Sequence, residues 1–150
     1  MFRGVHYLTI DDKGRFAMPA KYRDEILESC GGHLVITVST DKCLLVYPKP
    51  VWEEKQEEIM DMPNINPSVR WLQRMVIGHA SDTEMSKQGR ILLAPSLREF
   101  VGLEKEVALV GLTEKFELWN AGTWKASCDE WPEEAGQIDF DSEAFKGFSL

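Results

Sequence analysis

The chain is poor in cysteine: Cys30, Cys43 and Cys128 are the only three in 150 residues. They are odd in number, widely spaced and without a Cys-x-x-Cys pair. That argues against a disulfide framework or a zinc site and fits a reducing cytosol. No apolar run approaches the roughly 20 residues a membrane helix needs, so no membrane partner is expected. The opening Met1-Phe2-Arg3-Gly4-Val5-His6 has no apolar h-region, so no secretory signal is expected. A Gly-x-Ser-x-Gly elbow is missing, and so is a Gly-rich phosphate loop. His6, His33 and His79 are scattered, and His79 with Asp82 and Glu84 matches no helical metal-ligand spacing. No catalytic residue, metal, cofactor or small-molecule substrate is therefore expected.

What is present reads as globular: 43% hydrophobic and 28% charged residues, enough for a packed core. The net charge of −8 taken alone argues against a nucleic-acid partner. Its distribution says otherwise. Residues 129–150 hold seven acids against Lys146 alone, while residues 1–23 hold five bases against Asp11 and Asp12. The N-terminal segment is a basic island of Arg3, Lys13, Arg15, Lys21 and Arg23.

Residues 5–10 read as a strand, Asp11-Asp12-Lys13-Gly14 as a turn with Gly14 supplying φ > 0, and Arg15 to Met18 as a short return strand. Pro19 suits a first helical turn, with Tyr22, Ile26 and Leu27 on one face and Gly31-Gly32 as the stop. Leu34 to Val38 and Cys43 to Tyr47 form a hairpin. Val51 to Met62 is an amphipathic helix. Asn66-Pro67 is an N-cap and N1 pair opening a helix that runs to Gly78. The order then recurs: strand from Ala80, turn at Ser86 to Gly89, strand from Arg90, a short helix from Pro95, and a hairpin about Thr113-Glu114-Lys115. Gly122 to Trp131 is a last helix, followed by an acidic, turn-rich and disordered tail.

The recurrence is an internal repeat. Gly14-Arg15 matches Gly89-Arg90 and Arg23 matches Arg98, all at an offset of 75. Leu34-Val35-Ile36 matches Val107-Ala108-Leu109 at 73, and Trp52 matches Trp124 at 72. A unit of about 45 residues buries too little apolar surface alone. Two copies about a pseudo-twofold axis can share one core and set the two Gly-Arg loops on one edge.

These residues resemble the MraZ family. The resemblance rests on Met1-Phe2-Arg3-Gly4, the Asp11-x-Lys13-Gly14-Arg15 loop, Pro19, Tyr22-Arg23, Leu44-x-x-Tyr47-Pro48, Gly78-His79-Ala80, Gln88-Gly89-Arg90, Leu109-Val110-Gly111 and Lys115-Phe116-Glu117-Leu118-Trp119. It covers residues 1 to about 131. It implies an α+β fold of two tandem AbrB-like swapped-hairpin repeats of order ββαββ, at 5–52 and 80–125, forming an intrachain pseudodimer β-barrel. A helical connector spans 53–79, and 126–150 holds the end of a helix and an acidic, flexible tail. It implies a cytoplasmic, nucleoid-associated bacterial transcriptional regulator, a repressor of the cell-division and cell-wall gene cluster including its own operon. Members form rings and bind direct repeats in promoter double-stranded DNA. The family hallmark is Asp-x-x-x-Arg once per repeat. The first copy is Asp11 and Arg15; in the second, Ser86 stands where the acid is usual, before Arg90.

Arginine suits both phosphate oxygens and the O6/N7 edge of guanine, because its fork donates two parallel hydrogen bonds. Asp11, four residues back across a turn, is placed to hold Arg15 in one pose. The residues assigned to DNA are Arg15, Lys13, Asp11, Gly14 and Arg3, with Arg90, Lys87 and Gly89 from the second copy. The alternative is an AbrB-like interaction, scaffold or antidote module that does not touch DNA; it tolerates a paired and buried Arg15, whereas a DNA binder needs that side chain exposed.

Overall fold

The computed structural model describes all residues, 1–150. The first repeat contributes β1 (Phe2–Thr9), β2 (Arg15–Ala17), α1 (Ala20–Cys30), β3 (His33–Val38) and β4 (Leu44–Pro48). Two helices follow, α2 (Lys49–Asp61) and α3 (Pro67–Leu72), the latter continuing as a π-helical turn over Gln73–Ile77. The second repeat contributes β5 (Ser81–Glu84), β6 (Arg90–Leu92), α4 (Pro95–Phe100), β7 (Glu106–Thr113) and β8 (Lys115–Asn120). The long helix α5 (Ala121–Gly136) and a 3₁₀ turn at Glu143–Phe145 complete the chain.

Local chemistry explains most element ends. Asn66 caps α3 through its side-chain oxygen, which accepts from Ser68 N–H, and Pro67 takes the first helical position where no N–H is needed. Gly31 ends α1 in the left-handed conformation, its N–H donating to Leu27 O at 2.9 Å. Pro19 lies just outside α1, at the cap, with extended backbone. Tyr22 and Ile26 are buried as the face pattern requires, but Leu27 lies at the margin and is 37% exposed. The helix expected to run to Gly78 does so, its last turn widening into the π turn. That turn sets Val76 against Val35 and offers Val76 O to the hydroxyl of buried Thr37. The last helix, expected over 122–131, runs through Pro132 to Gly136. That turn is exposed, so the carbonyl left without its helical N–H partner faces water.

The two repeats are joined strand by strand. A six-stranded antiparallel sheet has the order β1-β7-β8-β4-β3-β5. β1 of the first repeat pairs with β7 of the second, Val5 opposite Val110. β5 of the second pairs with β3 of the first, Leu34 opposite Thr83. The hairpins meet at β4 and β8, Leu44 opposite Leu118. A separate two-stranded ribbon pairs β2 with β6, Phe16 opposite Ile91. The expected closed barrel is not formed: β1 and β5 end the sheet, and the ribbon is a sheet of its own. The three-residue strands β2 and β6 use their ladder on each other and leave the sheet edges unjoined.

The core explains why the halves are inseparable. One cluster of 19 buried side chains draws on both repeats in matched positions: Phe16 and Ile91, Met18 and Leu93, Leu34 and Val107, Ile36 and Leu109. Phe2 stacks on Phe116 with ring centres 4.2 Å apart and meets Tyr22 edge-on at 5.6 Å. A smaller cluster of Val35, Tyr47, Trp52, Ile59 and Val76 fills the other face of the first hairpin, under α2 and the π turn. Leu34 to Val38 is therefore buried on both faces, which is why that strand is an unbroken apolar and β-branched run.

Candidate nucleic-acid interface

The first loop is built around one carboxylate. The N–H of Asp11 donates to Arg15 O at 2.8 Å, and Gly14 N–H donates to Asp11 O at 3.0 Å, closing the turn. Asp11 Oδ1 accepts the N–H groups of Lys13 and Arg15, both at 2.9 Å. Its Oδ2 accepts Nε–H of Arg15 at 3.0 Å. The backbone N–H of Arg15, its side-chain Nε–H and the N–H of Lys13 together hold the Asp11 carboxyl below its ordinary value of 3.8, so it is a carboxylate at neutral pH. Only Nε of Arg15 is used in this latch. Both terminal nitrogens of the fork stay available to a ligand, and the side chain is 35% exposed.

The second loop repeats the backbone and changes the side chain. Ser86 N–H donates to Arg90 O at 2.9 Å, Gly89 N–H donates to Ser86 O at 2.9 Å, and Ser86 Oγ accepts Arg90 N–H at 3.0 Å. The hydroxyl thus replaces one carboxylate oxygen and not the other. The Arg90 guanidinium forms no ion pair with any acid of the chain.

The ribbon brings the two arginines together. Arg15 lies opposite Leu92 and Ala17 opposite Arg90. Phe16 and Ile91 point inward and are buried, so alternation turns Arg15, Ala17, Arg90 and Leu92 to the outer face. Leu92 is 55% exposed there. Arg15 and Arg90 line one cleft of about 250 Å³ with Thr9, Asp11 and Ala17. A two-stranded ribbon of this kind fits the width of a DNA major groove. Lys13 and Lys87 are exposed on the loop tips, and Gly14 and Gly89 are buried beneath them.

Arg3 stands apart. It pairs with Leu112 near the far end of β1, six residues from Thr9, which is on the order of 20 Å at about 3.3 Å per residue. Its carbonyl is taken by Lys21 Nζ at 3.2 Å and by the Tyr22 hydroxyl. Two residues absent from the sequence assignment belong to this edge instead: Arg23 of α1 and Arg98 of α4, whose guanidinium groups lie against Gly89 and Gly14. Their signal was the offset of 75 that they share with the loops. The histidine neighbourhood weighed as a metal site is dispersed. His79 packs at a tilt against Phe100 with its Nδ1 2.8 Å from Met75 O, and Asp82 faces Lys49 at 3.6 Å. No helix is long and apolar enough to cross a membrane.

Two copies of one strand–loop–strand–helix–hairpin unit, interleaved in one sheet with their arginine loops side by side, define a tandem-repeat α+β protein with an arginine-bearing two-stranded ribbon. The family described as "MraZ protein, putative antitoxin-like" matches residues 1–75 and again residues 76–146. The chain is 51% identical over 150 residues to the transcriptional regulator MraZ of Thioalkalivibrio sulfidiphilus, covering all of both chains. It is 52% identical over 129 residues to that of Nitrosomonas europaea, 86% of this chain and 87% of the relative. It is 43% identical over 132 residues to that of Coxiella burnetii, 87% of each. The chain belongs to the MraZ family.

Proposed function

We propose that this chain is a DNA-binding transcriptional regulator that reads promoter direct repeats in the major groove through the β2·β6 ribbon. The observation that carries the reading is the outward pair Arg15 and Arg90 on that ribbon, with Arg15 aimed by Asp11 and its terminal nitrogens unused. Arg15 reads a base edge, while Lys13, Lys87 and Arg90 supply phosphate contacts. Ala17 and Leu92 offer apolar contact to a thymine methyl. Twelve of the 25 acids lie on α2, on α5 and in the tail beyond it, and strands β2 and β6 carry none, so the ribbon edge approaches DNA despite the net charge of −8. The protein is a binding protein rather than an enzyme. Its target is the promoter of the cell-division and cell-wall cluster that contains its own gene, where it represses at the nucleoid.

One ribbon binds weakly, because phosphate neutralisation supplies most of the affinity and is salt-sensitive. A ring of copies places several ribbons on successive repeats at high effective concentration. An open apolar hollow of about 810 Å³, lined among others by Trp71, Met75 and Phe100, supports association between copies, with Trp71 60% and Phe100 50% exposed. The interaction-module reading tolerates a paired and buried Arg15; the side chain is paired with Asp11 yet partly exposed, which supports the DNA reading. The test is binding to the duplex immediately upstream of its own gene, against a shuffled duplex, across a salt series. Arg15→Ala is expected to abolish the preference for the upstream duplex while leaving the melting temperature and the oligomer size unchanged. Equal affinity of Arg15→Ala and wild type overturns the reading.

A further inference from the structure

Each loop is buttressed from the opposite half of the chain. Gly14 and Gly89 hold φ of +81° and +82°, where a side chain is strained, and both lie under an arginine from the other repeat. A β-carbon on Gly14 would stand 3.0 Å from Cζ and Nη2 of Arg98, and one on Gly89 would overlap Arg23 Nε. Backbone bonds cross at the same two places: Leu93 N–H donates to Gly14 O at 2.9 Å and Met18 N–H to Gly89 O at 2.7 Å. The buttresses are unequal. Arg23 Nε–H donates to Met18 O at 2.8 Å, while Arg98 Nε is buried without an acceptor. Neither arginine pairs with an acid, and neither lines the cleft between Arg15 and Arg90.

We propose that Arg98 is the positioning residue of the first loop, and Arg23 its counterpart for the second, so that each repeat completes the other's DNA-reading loop. A planar guanidinium packs flat on a glycine Cα; a lysine ammonium has no such plane. With Nε unbonded, Arg98 acts by this packing, and the packing holds Gly14 in the turn that lets Asp11 aim Arg15. The pseudo-twofold thereby becomes a functional dependence: the first loop is shaped only when the second repeat is folded against it. The step from loop shape to affinity rests on the DNA reading above; the step from Arg98 to loop shape does not.

The experiment is amide hydrogen exchange on the full chain, read at Gly14, Arg15 and Leu93 for the first loop, at Gly89, Arg90 and Met18 for the second, and at Leu109 for the core. Arg98→Ala is expected to speed exchange in the first set by about tenfold or more, leaving the second set and Leu109 unchanged. Arg23→Ala is expected to do the reverse. Arg98→Lys, which keeps the charge and most of the bulk, is expected to leave the first loop loosened. On the upstream duplex, Arg98→Ala is expected to weaken binding about tenfold with the salt slope unchanged, since no phosphate contact is removed. Unchanged exchange in the first loop, equal loosening of both loops, full rescue by lysine, or a salt slope reduced by about one contact each overturns the proposal. Selective loosening with no DNA binding even by wild type leaves the buttress standing and removes the DNA reading.

Discussion

The two loops share a backbone and differ in what stands at its first position. In both, the first residue closes the turn with the arginine four residues on, a glycine takes the left-handed conformation, and one side-chain oxygen accepts the arginine's N–H. Asp11 has a second oxygen, and that oxygen takes the Arg15 Nε–H. Ser86 has none, and the Arg90 guanidinium is left unheld by any acid. The pair separates two requirements that a single loop would confuse. The turn closes with one acceptor in the second loop; only the loop with a second acceptor holds its arginine's Nε–H. A freely rotating guanidinium still neutralises phosphate, but it gives up rotamer freedom on reading a base, and Asp11 has already taken that freedom from Arg15.

The comparison can be broken most forcefully at the arginines. Arg15→Ala is expected to lower affinity for the upstream duplex by about 10- to 100-fold per engaged loop, the worth of one lost bidentate base contact, and Arg90→Ala by clearly less. Equal losses, read by fluorescence anisotropy, would make the loops equivalent and the latch irrelevant. Exchanging the first positions sharpens the contrast. Asp11→Ser should cost several-fold in discrimination between upstream and shuffled duplexes with the turn intact, and Ser86→Asp should recover a similar factor at the second loop. Smaller still, Lys13→Ala and Lys87→Ala should each reduce the salt slope of log affinity by about one without changing sequence preference.

The smallest effect is that of pH, and its sign follows from the Asp11 carboxyl. Its pKa is lower in the folded chain than in the unfolded one, so the latch's contribution is complete above the ordinary carboxylate value and lost as pH falls through the folded value. From pH 8 to pH 5 the Arg15 Nε–H resonance should stay fixed, shifting only below the usual carboxylate range. The Arg90 N–H, held by a hydroxyl that does not titrate there, should show no such step. An inflection at both loops, or at neither, would erase the distinction.

Much of this is legible in the sequence. The Asp-x-x-Gly-Arg turn announces itself because the bonds that close it lie within four residues, and Gly14 and Gly89 mark the conformations it needs. The 75-residue offset exposed the repeat. The Asn66-Pro67 start of α3 was readable for the same local reason. The misreadings were non-local. Arg3 looked like part of the basic island because it is near in sequence, yet an extended strand carries it away from the loop. The helix expected to Gly78 does reach it, but its last turn is π-helical and its Val76 carbonyl accepts the hydroxyl of Thr37, nearly forty residues earlier. The barrel implied by the family resemblance is replaced by an open sheet and a separate ribbon, set by strand pairings between repeats.

By itself, then, the sequence determined the two turns, their inequality at Asp11 and Ser86, the element order and the family. Each is a matter of neighbouring residues or of likeness between segments. Only the tertiary structure decided that Arg15 and Arg90 share one outer face and that Arg98 and Arg23 lie beneath the opposite loops. Those relations depend on β2 pairing with β6 and on Leu93 bonding Gly14, contacts spanning some 75 residues. Their closure is favourable only once the core of both repeats has been buried together.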